Sequence, residues 1–198
     1  RAVVDTVRRF DIDLEYFVRF LRSMKMDFST TTYETFDDLM RYMDGSAAVI
    51  GEMTLLILAP TSVDEATPYA RDLGVAFQLT NFLRDIGEDR ARGRTYIPQA
   101  DIARFGAEEA WKAGETTPEF VQLMRFEIAR CRELYSRSVK GDEYLTGRAK
   151  GCIRAARSLY GGILDRIESI DYDVFVRRAK VSGLQKIATV AKLAVLSK

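Results

Sequence analysis

Apolar residues recur at steps of three and four along nearly all of this chain, and strand-like alternation bounded by turn pairs is absent. That spacing puts apolar side chains on one face of successive helices, so an all-α fold is predicted. Asp5 to Ser23 carries Val7, Phe10, Leu14, Phe17 and Leu21 on such steps. A second helix opens at Thr35-Phe-Asp-Asp38 in capping-box style and runs through Leu39, Met43 and Ile50 towards Leu58. Pro60-Thr61-Ser62 then breaks the chain, and Ser62 with Glu65 starts a long third helix. Gly87, Gly93 and Pro98 mark its exit, with a short helical piece from Gln99 to Phe105 beyond. Thr117 as N-cap and Pro118 at the first helical position open the next helix. Gly151 to Ile170 repeats the amphipathic pattern, and Val174 to Leu196 is expected as a basic terminal helix.

The 198 residues suffice for a core without staples, and residues 1–198 are read as a single helical domain. Thirty basic against 29 acidic residues leave a net charge of +1, so no global field favours nucleic acid. Histidine is absent, which removes His-based triads, His metal sites and imidazole proton shuttles. Cys131 and Cys152 share no metal-ligand spacing and are expected as reduced thiols of a cytoplasmic protein. The longest apolar runs are broken by Glu52, Arg71 or Lys192, short of a membrane span, and no signal-peptide pattern opens the chain.

Within Gly74 to Asp89, Gln78, Asn81, Asp85 and Asp89 fall in a stripe roughly 80° wide on a helix turning about 100° per residue. Val75, Leu79, Phe82, Leu83 and Ile86 border it, so the polar groups lie beside an apolar wall. A solvated acidic face would not need that wall. Carboxylates and amides beside apolar surface call for a compensating cation. Oxygens one helical turn apart suit Mg²⁺, which takes one or two carboxylates and keeps phosphate oxygens in its shell. The stripe is therefore a candidate diphosphate site.

Three further features have a plain reading and a functional one. Arg84, Arg90, Arg92 and Arg94 precede Tyr96. On the helical wheel Arg84 points away from the stripe, as for a surface salt bridge, whereas Arg94 and Tyr96 follow Gly93 and could close over an anion. Gly45, Ser46, Ala47, Ala48 and Gly51 leave little side-chain volume along one length of helix. Either neighbouring helices pack closely there or a long apolar ligand lies against backbone. Tyr160, ahead of Gly161-Gly162 and Arg177-Arg178, is either a core tyrosine or a donor to phosphate.

The string from Gln78 to Pro98 resembles the second aspartate-rich signature of the squalene/phytoene synthase family. Tyr42 to Gly51 is similar to the family's other signature, and Met26-Asp27, Thr35 to Leu39 and Ala155 to Tyr160 extend the likeness over nearly the whole chain. The pattern is closest to bacterial phytoene synthases. The resemblance implies an isoprenoid synthase-type helical bundle around a central cavity. It implies Asn81, Asp85 and Asp89 as ligands of Mg²⁺, or of Mn²⁺ in its place, with Gln78 beside them. Asp85, Asp89 and Tyr160 become the catalytic set. Arg94, Tyr96 and Tyr160 would contact diphosphate, while Tyr42, Ser46, Ala47 and Gly51 would border the prenyl chain.

The family's first aspartate-rich motif sits on a helix that should precede Arg1, so an N-terminally truncated chain, inactive as a fragment, is expected. Asp11 to Glu15 is read instead as ordinary helix surface. By resemblance the reaction is head-to-head condensation of two prenyl diphosphates, foremost two geranylgeranyl diphosphates to phytoene through a cyclopropylcarbinyl diphosphate, in carotenoid biosynthesis. One alternative is squalene, dehydrosqualene or presqualene diphosphate formation from farnesyl diphosphate. Another is a non-catalytic relative acting as an assembly factor, which loss of either aspartate would have favoured. Apolar substrates and the lysines Lys180, Lys186, Lys192 and Lys198 point to peripheral association with the inner face of the membrane, against the plain reading of a soluble surface.

Overall fold

Local capping signals are met where the sequence announces them. The computed structural model describes residues 1–179, and the described residues form ten α-helices with no named strand. They are α1 (Ala2–Arg9), α2 (Leu14–Met26), α3 (Phe36–Met43), α4 (Val49–Leu58), α5 (Val63–Arg84), α6 (Ile86–Ala91), α7 (Gln99–Arg104), α8 (Glu108–Ala113), α9 (Pro118–Ser138) and α10 (Gly147–Ser169). Thr35 and Asp38 form a reciprocal capping box on α3, Ser62 caps α5, and Thr117 caps α9 with Pro118 next. A π-helical turn, Asp44–Ala48, joins α3 to α4, and a 3₁₀ turn, Val139–Tyr144, joins α9 to α10.

The predicted helix from Asp5 to Ser23 is two helices. Asp11 adopts φ 48°, which ends α1, and the Asp13 carboxylate accepts from the Glu15 amide to begin α2. Asp11 to Glu15 is thus a turn with a capping residue, not helix surface; apolar periodicity overrode the Asp13 cap signal. The long helix likewise does not run straight through the acidic stripe. It stops at Arg84, and Asp85 with φ −101° and ψ 13° re-aims α6. Val174 to Ala179 is turn and coil where helix was expected, and the rest of that expected helix, with Lys180, Lys186 and Lys192, lies outside the described residues, as does Lys198.

α5 is the central rod. Val75, Ala76, Leu79, Thr80 and Leu83 are buried, chiefly against α9, which contributes Phe120, Leu123, Met124, Ile128 and Cys131 to the same core. Its other flank meets α4 and the π-helical turn through backbone-to-backbone approach. A methyl at Gly74 would sit 2.5 Å from the Ala47 carbonyl oxygen, and one at Gly51 would overlap that of Ala70. Small residues here therefore serve close packing, as the plain reading had it. The packed turn is also tied by charge. Arg19 of α2 and Arg71 of α5 each bond both Asp44 and the buried Glu52.

Glu127 of α9 is a second buried carboxylate, sharing the Arg130 guanidinium with Asp101 of α7. Burial pushes its pKa up to about 8, against the opposing pull of Arg130. A group bound more tightly to its proton in the folded state stabilises at low pH and loses that contribution as pH rises through the folded value. Asp89, raised to about 6, adds a slope of the same sign at lower pH. Denaturant midpoints are therefore expected to fall between pH values near 6 and near 8, and Glu127→Gln to flatten that fall. An unchanged slope in the variant would show Glu127 ionised throughout.

Candidate active site

Four residues of the stripe converge on one open hollow of about 420 Å³, lined by Gln78, Asn81, Asp85 and Asp89 together with Phe82, Arg84, Tyr96 and Tyr160. The kink at Asp85 corrects the reading of Arg84. Straight-helix geometry turned it outward, whereas it folds back and donates from Nε to Asp85 Oδ1 at 2.8 Å. Arg178 reaches the same oxygen at 2.9 Å. Burial alone would raise the Asp85 pKa, but hydrogen bonds from Arg84 and Arg178 outweigh it and hold this carboxyl below the ordinary range. Asp89 goes the other way, to about 6, through burial first and the neighbouring Asp85 charge second. Asp89 makes no salt bridge among the described residues. Two carboxylates one turn apart thus stand in opposite electrostatic states, and the second wants a cation.

A parallel link from far along the chain brings in Tyr96. Thr32 bridges Thr95, whose amide donates to the Thr31 carbonyl at 2.8 Å. Tyr96 then stacks on Phe82 with ring centroids 3.9 Å apart, and the Tyr33 and Tyr42 rings lie 6.0 and 5.9 Å from its own. Its hydroxyl accepts from Arg94 at 3.0 Å, leaving its own proton free to donate. Arg94 also donates to the Asp27 carboxylate at 2.8 Å and to its carbonyl at 2.9 Å. So Arg94 is fixed beside the hollow, behind Tyr96, and does not line it. Tyr42 is buried in the aromatic stack and lines neither hollow nor cavity, and desolvation keeps its hydroxyl protonated. Tyr160 lies on α10 with its ring 4.5 Å from that of Phe77.

Next to the hollow is an apolar cavity of about 200 Å³ between α4, α5 and α10. Ser46, Ala47 and Gly51 form one wall, Leu73, Gly74 and Phe77 another, and Ile153 and Leu145 a third. Gln78 lines both spaces. The π-helical turn re-aims Ser46, whose buried hydroxyl has no hydrogen-bond partner. Backbone packing and a cavity wall thus coincide at the small-residue segment.

Sequence reasoning missed Asp27 as the anchor of Arg94 and Arg178 as a partner of Asp85, contacts spanning 67 and 93 residues. No local pattern encodes either pairing. Cys131 is buried and Cys152 exposed, and neither meets the hollow.

The squalene/phytoene synthase family model matches residues 1–185. A phytoene synthase of Arthrospira platensis is 38% identical over 199 residues, an alignment that covers 94% of this chain and 64% of that protein. Chloroplastic phytoene synthase 1 of Arabidopsis thaliana is 36% identical over 193 residues, covering 94% and 46% respectively. The chain thus spans less than two thirds of either relative. Among solved structures, a dehydrosqualene synthase in complex with ligand superposes with a TM-score of 0.86 at 26% identity, covering 93% of this chain and 65% of its own. The squalene synthase HpnC from Alicyclobacillus acidocaldarius gives 0.82 at 27% identity, covering 87% and 65%.

Proposed function

We propose that this chain, which belongs to the squalene/phytoene synthase family, is a prenyltransferase that joins two prenyl diphosphates head-to-head, foremost two geranylgeranyl diphosphates to phytoene. Residues 1–198 are taken as a single helical domain. One observation carries the reading: Gln78 stands at the junction of an oxygen-lined hollow and an apolar cavity. An ionic head and a hydrocarbon tail would need that juxtaposition. The curated relatives at 36–38% identity are phytoene synthases, which favours the longer substrate. The two structural neighbours carry squalene and dehydrosqualene synthase names, so farnesyl diphosphate is the second reading.

The donor set suits a divalent cation. Among the described residues no group of three or more His, Cys, Asp or Glu is placed to hold a metal ion, so a metal would rely on two carboxylates and an amide. Mg²⁺ accepts such a half-site and completes its shell with phosphate oxygens and water. Asn81, Asp85 and Asp89 would hold it, and the Asp89 charge, which meets no salt bridge among the described residues, would supply the attraction. When bound, Mg²⁺ offers Lewis-acid neutralisation of diphosphate charge. The protein does the rest. Tyr96 donates its free proton to a diphosphate oxygen, and Tyr160 stands ready to do the same from α10. Arg84 adds a fixed positive charge at the rim, and the walls from Ser46 to Phe77 keep water from an allylic cation.

The same reading has the enzyme working in the cytoplasm, in loose contact with the inner face of the membrane through which its lipophilic substrates and product partition. No described helix is long and apolar enough to cross a membrane. Incubating the protein, at the full length its gene encodes, with each diphosphate and Mg²⁺, with and without NADPH, should yield phytoene from the C20 substrate. Squalene or dehydrosqualene as the sole product would move the assignment to the second reading, and no product from either would remove both.

A further inference from the structure

The segment after α10 carries a cation onto the site. Phe175 anchors it, packing 4.5 Å from the Phe120 ring and 6.1 Å from Trp111. Its backbone presses on α6 so closely that a methyl at Gly87 would lie 2.5 Å from the Phe175 carbonyl oxygen. Thus pinned, the segment lays Arg178 between two acids, with Nε 2.9 Å from Asp85 Oδ1 and a terminal nitrogen 3.3 Å from Glu88. Asp85 accepts from Arg84 as well, so two guanidiniums neutralise one carboxylate.

The two arginines are not equivalent. Arg84 ends α5, is largely enclosed and lines the hollow. Arg178 is more exposed, arrives on an irregular segment and already has a second partner in Glu88. Arg84 bonds both Asp85 oxygens, so what the Arg178 guanidinium on Oδ1 contests with a metal ion is the charge of that carboxylate. We propose that Arg178 is a positioning residue that holds Asp85 as a placeholder for metal charge, and that an entering divalent cation displaces it onto Glu88. This deepens the metal reading above and rests on it.

Mn²⁺ titrated into the protein without diphosphate, followed by electron paramagnetic resonance, reads the competition directly. Arg178→Gln should bind Mn²⁺ about three- to fivefold more tightly than the parent, the factor expected from removing one partly exposed ion pair. Arg177→Gln changes net charge equally, but Arg177 pairs with Asp173 at 3.4 Å, so its affinity should match the parent. Asp85→Asn should lose about tenfold or more. Unchanged or weaker binding by Arg178→Gln overturns the proposal, as does an equal gain from Arg177→Gln, which would mean a long-range field. Should Asp85→Asn bind like the parent, the metal reading itself fails, whatever the arginines do. Melting curves establish that each variant is folded. If Arg178→Gln is not, Arg178→Lys replaces it, with a smaller gain expected and no gain overturning the idea.

Discussion

Asp89→Asn is expected to abolish turnover and yet make the metal-free protein more stable. Asp89 keeps its proton up to about pH 6 because burial and the Asp85 charge disfavour its ionised form. Above that value the charged side chain is a burden on the folded state, by the same linkage that governs any raised carboxyl. An uncharged amide of equal size removes the burden. Because Asp89 is only partly enclosed, water discounts the gain to on the order of 1 kcal/mol. That corresponds to a melting temperature about 2–4 °C higher for a chain of this length. Activity should fall about 100-fold or more, as when a group that stabilises developing charge is removed. Asp85→Asn should also abolish turnover but lower the melting temperature, since Arg84 and Arg178 favour its charged form. Opposite stability changes from two aspartates one turn apart mark a site built for a cation. If both variants lose stability alike, Asp89 is an ordinary structural carboxylate.

Glu52→Gln is expected to give the largest loss of stability of any isosteric substitution at the packed turn. Glu52 is 5% exposed and bonds Arg19 and Arg71, which also share Asp44. Removing one carboxylate leaves two guanidiniums with one anion between them. Breaking a fully buried pair destabilises by about 3–5 kcal/mol, and the partial exposure of Arg71 and Asp44 discounts that to about 2–3 kcal/mol. The expected fall in melting temperature is about 4–12 °C. Asp44→Asn faces the same arginines, but Asp44 is 38% exposed, so it should lose clearly less. Chemical denaturation of the two variants orders them, and equal losses would show that burial does not set the strength of this ring. The ring also holds the turn that aims Ser46 and Ala47 at the cavity, so Glu52→Gln should raise the KM for prenyl substrates more than it lowers kcat.

What could be read without coordinates was local. Thr35, Ser62 and Thr117 announced their helices because capping is settled within four residues, and Asp85 with Asp89 announced a stripe because one turn separates them. The break at Asp11 and the kink at Asp85 depend on backbone angles that apolar periodicity does not encode, so α1 and α2 were merged and Arg84 was turned the wrong way. The π-helical turn shifts the wheel between Tyr42 and Ser46, which sends Tyr42 into the aromatic stack and Ser46 to the cavity. Arg94 was expected over an anion. Its bonds to Asp27 and to the Tyr96 hydroxyl fix it beside the hollow, a relation visible only once residues 31–33 lie beside residues 95–99.

The central claim is that the acidic hollow and the apolar cavity hold the two ends of one ligand. Isothermal titration with a non-ionisable thio-analogue of geranylgeranyl diphosphate, in Mg²⁺ and then in EDTA, addresses it most directly, with inorganic pyrophosphate as the tail-less comparison. Binding is predicted to be about tenfold or more tighter with Mg²⁺, and tighter for the tailed analogue than for pyrophosphate. Equal affinity in EDTA, or equal affinity without the tail, would contradict the account.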